Sequence, residues 1–192
     1  MKNWLCMLLM LLFVSNLLGQ NVELSVCKKD SLGNAYYPNM MFEWINIYAF
    51  EDTFKRKISE YEIIYKGLKF LQVPTSKNNS INYFNVLEKD GEELLYDESR
   101  KQIRCFIPSS EIEGHEILNV FNLDYRIAGY HVRVKTPVCE YNDAIMILSK
   151  RTGSDDFNSD NIYYYVRGIG FVAQEYRDII TSYLSRRYIL KK

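Results

Sequence analysis

Asp90-Gly91 is the tightest constraint that this chain places on its own fold. Ile81 to Lys89 precede it and Glu92 to Tyr96 follow it, and both runs favour strand. Two such runs joined by two residues that tolerate positive φ form a hairpin, because that turn matches the right-handed twist of the strands. The rest of the chain extends this antiparallel theme. Phe42, Trp44, Tyr48 and Phe50 alternate on one face of a run whose other face carries Met41, Ile45, Ile47 and Ala49, so a strand buried on both sides is expected there. Ile58 to Tyr65 is a second strand, and Gly67 separates it from Leu68 to Val73, which Pro74 ends. A hairpin turns through Asp97 to Lys101 into Gln102 to Ile107.

Strands are also expected at Glu116 to Tyr125, Tyr130 to Lys135 (divided from it near Ala128-Gly129), Ala144 to Leu148, Ile162 to Val166 and Phe171 to Tyr176. Ile180, Tyr183, Leu184 and Tyr188 would line one face of a helix, but Ile179 to Leu190 is rich in Ile, Tyr, Thr and Ser. It is read as a strand that closes a last hairpin near Arg177-Asp178. The expected fold is mainly β, a single curved antiparallel sheet or half-barrel built from hairpins, in one domain over residues 20–192.

The first residues read differently. Lys2 is followed by an apolar run from Trp4 to Val14, then by Ser15, Asn16 and Gly19 before the polar Gln20 and Asn21. A positive start, an apolar middle and a small-residue exit form a secretory signal peptide, expected to be cut between Gly19 and Gln20. The unbroken run is shorter than the roughly 20 residues of a spanning helix. The expectation is an exported chain, periplasmic or secreted, with no membrane span after the leader. The chain balances 24 basic against 24 acidic residues, and the leader removes only Lys2. Bulk charge therefore does not draw it to nucleic acid. Cys27, Cys105 and Cys139 lie beyond the leader, and none stand at metal-ligand spacing. They are either buried thiols or contain one bridge, in which case the expected pair is Cys105 with Cys139.

Catalytic patterns are scarce. There is no Gly-x-Ser-x-Gly elbow and no His-Glu-x-x-His. His131 alternates with Arg133 and Lys135 on a solvent face, and His115 lies in a polar connection. Glu92-Glu93, Asp97-Glu98, Glu111 with Glu113, and Asp155-Asp156 offer carboxylates, but neighbours in a strand point to opposite faces. The polar loop at 152–161 has oxygen ligands without the spacing of a calcium loop. No catalytic residue, metal site or cofactor is expected. With sixteen Tyr and ten Phe in the chain, rings are the main resource. Phe42, Trp44, Tyr48, Tyr61, Tyr65, Tyr83 and Phe106 either fill the core or line a concave apolar face.

Gly168 and Gly170 bracket Ile169, a spacing that bends a sheet sharply while Ile169 stays anchored. This bracket lies within Tyr163 to Val172, and an earlier segment, Thr136 to Ile147, has a second distinctive pattern. Together they resemble a group of uncharacterised exported bacterial proteins in which a Thr-Pro-Ala-Gly-Thr-Phe-like turn enters an apolar strand and a Tyr-x-Lys/Arg-Gly-Ile/Val-Gly-Leu-Val motif follows. Val138, Cys139, Glu140 and Phe171 depart from that pattern. The resemblance implies a curved antiparallel half-barrel like those of periplasmic lipoprotein carriers, and it brings no catalytic residues. The function expected first is a non-catalytic exported protein that binds an apolar small molecule or an envelope protein. A hydrolase of envelope material using paired carboxylates, and an interaction module using sheet edges, are the alternatives.

Overall fold

The computed structural model describes residues 21–29, 35–36, 40–47, 52–57, 62–74, 83–120 and 122–190. The leader with its Gly19–Gln20 junction lies outside them, as do Tyr48 and Tyr61. Among the described residues there is no helix, and two antiparallel sheets form without closing into a barrel. The strands are β1 (Val22–Leu24), β2 (Met40–Asn46), β3 (Asp52–Lys57), β4 (Glu62–Tyr65), β5 (Leu68–Pro74), β6 (Tyr83–Lys89) and β7 (Glu92–Asp97), followed by β8 (Gln102–Ile107), β9 (Glu116–Val120), β10 (Leu123–Lys135), β11 (Glu140–Arg151), β12 (Asn158–Val166), β13 (Gly170–Tyr176) and β14 (Ile179–Ile189). The mainly β, hairpin-built, antiparallel architecture is as expected. Its division into two sheets is not visible in strand periodicity, which says which face of a strand is buried but not which sheet it joins.

The smaller sheet is the meander β4-β5-β6-β7-β8, and the larger runs β3-β2-β14-β13-β12-β11-β10-β9. The larger sheet is assembled across the whole chain, because β2 pairs with β14 from Met40↔Ile189 to Asn46↔Ser182. β13 pairs with the first half of β14, and β1 pairs with its end through Val22↔Ile189 to Leu24↔Arg187. Three two-residue turns take positive φ at both positions: Lys66-Gly67, Asp90-Gly91 and Arg177-Asp178. That is the geometry the Asp-Gly pattern calls for.

Several boundaries differ from those expected. β10 runs unbroken through Ala128-Gly129, and the interruption comes instead between Val120 and Leu123. The glycine marks a register shift rather than an end: the β10–β11 pairing slips after Ile127, Gly129 and Val132, and His131 sits at φ 54°. Bulges of this kind bend a long ladder without ending it. β11 spans twelve residues rather than Ala144 to Leu148, and β12 begins at Asn158, inside the expected polar loop. β2 is not buried evenly on both sides: Phe42 and Trp44 are buried, whereas Met41 and Ile45 are half-buried and Ile47 is exposed.

The turn at 136–139 closes despite Val138 and Cys139. Thr136 N–H donates to Cys139 O (2.8 Å), and Cys139 N–H donates to Thr136 Oγ1 (3.1 Å). The same turn carries a disulfide, which corrects the expected pairing: Cys139 is bridged to Cys27, with Cα atoms 5.6 Å apart, and Cys105 is a free thiol on β8. The reason lies in the segment that follows β1. Arg187 is fully buried, and its guanidinium donates to Ser25 O (2.7 Å), Lys28 O (2.9 Å) and Gly168 O (3.4 Å). Tyr141 Oη donates to Val26 O (2.9 Å). These bonds hold Ser25 to Lys28 against β11 and the β12–β13 turn, which places Cys27 beside Cys139. In that turn Gly168 and Gly170 take φ of 76° and 97°, and Ile169 is buried between them.

Candidate functional site

A partly open cavity of about 410 Å³ lies between the facing sides of the two sheets. Pairing registers explain which side chains reach it. Val73 opposes Phe84 across β5 and β6, and Val86 opposes Leu95 across β6 and β7, so alternation puts all four on one face of the smaller sheet. Phe106 joins them through a bulge. Glu93 pairs with Ile107 and Leu94 with Cys105, which leaves Phe106 as the extra residue of β8. Cys105, part-buried nearby, has its thiol pKa pushed up by burial.

From Phe106 an unbroken series of rings crosses to the opposite wall and runs along it. Phe106 meets Tyr125 edge-on (5.7 Å between centroids), Tyr125 meets Tyr163 (6.1 Å), and Tyr163 meets Phe171 (6.0 Å). The series goes on from Phe171 to Trp44 (6.3 Å), Trp44 to Phe42 (5.3 Å, stacked) and Phe42 to Tyr36 (6.3 Å). All seven line the cavity. Such offset and edge-to-face pairs are the favoured arrangements of aromatic quadrupoles. Ile147, Gln174 and Ser182 also line the cavity.

Of the rings singled out from sequence, Phe42, Trp44 and Phe106 are brought together here. Tyr65 is not. It stacks on Tyr96 (4.5 Å) on the other face of the smaller sheet and donates to Lys101 O (2.7 Å). Tyr83 begins β6, and Tyr48 and Tyr61 lie outside the described residues. Tyr36, Phe84, Tyr125, Tyr163, Tyr165 and Phe171 are the lining rings that sequence reading missed.

One ionisable group stands in this apolar setting. Glu93 is 4% exposed, lines the cavity, and its Oε2 has no hydrogen-bond partner. Burial pushes its pKa from an ordinary 4.5 up to about 8, against the smaller opposing effects of a hydrogen bond with Tyr165 and the Arg167 charge. Glu88 lies directly across the β6–β7 ladder and adds to the rise. Burial likewise holds the Tyr165 hydroxyl far above its usual range. Arg167 donates to Gly91 O and Pro108 O, and Glu88 Oε2 accepts from Ala35 N–H (2.6 Å). At neutral pH Glu93 is therefore a neutral carboxylic acid, a hydrogen-bond donor at the edge of a greasy space.

The remaining candidate groups are spent elsewhere. His131 Nδ1 contacts Asp143 (2.6 Å) and Nε2 contacts Glu111 (2.8 Å), and the Asp143 hydrogen bond, followed by the Glu111 charge, raises its pKa. The two ring nitrogens point apart, so His131 links β11 to the β8–β9 connection and the three groups do not converge on a metal. Among the described residues no cluster of His, Cys, Asp and Glu could hold a metal ion. His115 Nε2 bonds Cys105 O (3.0 Å). Asp97 is held by Ser99 and by Arg100, and Asp155 and Asp156 are exposed. No helix of the described residues is long and apolar enough to cross a membrane. No protein-family model, curated protein or solved structure matches the chain.

Proposed function

We propose that this protein binds an apolar small molecule between its two sheets, outside the cytosol. The single observation that carries the reading is the cavity itself: about 410 Å³, walled by a series of seven contiguous rings and by Val73, Phe84, Val86 and Leu95 of the smaller sheet. Small-molecule sites of ~300–1,000 Å³ have this make-up, mostly apolar with a few placed polar groups. The signal-like first nineteen residues and the Cys27–Cys139 bridge support an oxidising, exported setting.

A second reading is favoured by one observation, the opposed Glu88 and Glu93 carboxyls, one with a raised pKa. A hydrolase needs two carboxyls flanking a substrate bond. Glu88 is capped by the Ala35 amide and is not part of the cavity wall, so a single carboxyl meets the occupant. Binding is the better account.

Titration of the purified protein with an environment-sensitive naphthylamine fluorophore tests it. The expected result is saturable enhancement that decane-chain amphiphiles displace. Leu95→Trp, which fills the space from the smaller sheet, should abolish the enhancement while leaving the melting transition in place. No saturable binding by the wild type, or undiminished binding by the filled variant, would contradict the proposal.

A further inference from the structure

The occupant's chemistry follows from Glu93. Resting on the ligand-site reading above, we propose that the cavity takes an uncharged amphiphile, whose carbonyl or hydroxyl oxygen accepts a hydrogen bond from Glu93 while the rings hold its hydrocarbon part. The observation behind this is an orphaned atom. Glu93 lines the cavity and its Oε2 is buried with no partner, whereas buried polar atoms are nearly always satisfied. Replacing Glu93 by an apolar residue would remove that liability. Its presence is accounted for if a ligand completes the bond.

The surroundings select the ligand's charge. Titratable and charged groups face Glu93 from its neighbouring elements: Glu88 from β6, Cys105 from β8, Tyr165 from β12, Arg167 from the β12–β13 turn, and Tyr36 beside Tyr165. An anionic headgroup would add to the negative field that Glu88 already exerts on Glu93 from behind the wall, and would compete with the Glu93 carboxyl for the same donors. The Arg167 guanidinium is already committed to Gly91 O and Pro108 O. A cationic headgroup would require Glu93 to ionise, and two charges would then be taken out of water in an aromatic-lined space, which a single ion pair seldom repays. A neutral oxygen acceptor matches the neutral acid without either penalty. With burial holding the proton on Glu93 up to about pH 8, the donor persists across the neutral range.

The test compares decanol, decylammonium and decanoate as competitors of the naphthylamine fluorophore on the purified protein, at neutral pH. The wild type should bind decanol about tenfold more tightly than either ion, the worth of one well-made buried hydrogen bond. Glu93→Gln, whose amide still donates, should keep that preference. Glu93→Leu should weaken decanol binding by about tenfold while still binding the fluorophore. The preference over decylammonium should fade above about pH 8 in the wild type, as Glu93 ionises, and persist in Glu93→Gln. Two results would overturn the anchor while leaving the cavity reading intact: wild-type decanol affinity in Glu93→Leu, or tighter binding of decylammonium that Glu93→Gln removes. Failure of the fluorophore itself to bind would instead overturn the ligand-site reading, and this inference with it.

Discussion

Glu93 shows how one residue can lower the stability of a fold in return for a chemical handle. An acid whose folded pKa lies above its unfolded one binds more protons in the folded state, so its stabilising contribution is present at low pH and is lost as pH rises. With 4.5 unfolded and about 8 folded, the loss runs between those two values. By about pH 7 it amounts to roughly 3 kcal/mol. Glu93→Gln is expected to flatten this slope and to raise the melting temperature above the wild type near pH 8, which thermal melts across pH would check. A parallel pH dependence in variant and wild type would show that another group is responsible. The sequence hid this residue within the Glu92-Glu93 pair, where two adjacent carboxylates read as solvated charge. Only the ladder register shows that Glu93 turns inward with Leu95.

Ile169 and its flanking glycines carry a second residue-scale prediction. Gly168→Val and Gly170→Val each place a β-branched side chain at positive φ, and a Cβ at Gly168 would also lie 3.1 Å from the Lys29 side chain. Each should destabilise by about 1–3 kcal/mol. Ile169→Ala removes a 1%-exposed side chain from the main core and should cost about 2–5 kcal/mol. Denaturant melts would measure all three, and unchanged midpoints would mean that the bracket does not anchor the sheet.

At the scale of elements, the segment after β1 is bound by more than its three-residue pairing. The Cys27–Cys139 bridge spans 112 residues of sequence, and Arg187 satisfies three backbone carbonyls from a fully buried position. Closing so long a loop stabilises mainly by restricting the unfolded chain. Cys27→Ser should cost about 2–5 kcal/mol. Arg187→Met should cost about 3 kcal/mol, because it orphans those carbonyls. A reductant should lower the wild-type melting temperature and leave that of Cys27→Ser unchanged, whereas equal sensitivity would argue against the bridge. These contacts were not legible in sequence, since Cys27, Tyr141, Gly168 and Arg187 are brought together only by the β14–β1 and β12–β13 pairings. The Asp90-Gly91 hairpin was legible because it declares its turn locally, whereas Ile179 to Leu190 has a helical face as well as strand-forming residues and only leans to a strand. The unbroken β10 was not legible, because Ala128-Gly129 marks a bulge as readily as an end.

At the scale of the whole molecule, the sheets meet through rings drawn from β2, β8, β10, β12 and β13, together with Tyr36. Alternation could nominate Phe42, Trp44 and Phe106 one strand at a time. It could not join them to Tyr125, Tyr163 and Phe171, because that juxtaposition belongs to the topology. The central claim is that the space these rings bound receives an apolar ligand. Methyl-selective NMR during decanol titration tests it most directly. The account predicts that Val73, Val86, Leu95 and Ile147, which line the cavity, shift together along one saturation curve, while Ile63 and Ile64, on β4, stay still. Shifts scattered over the surface, or confined to β4, would contradict it.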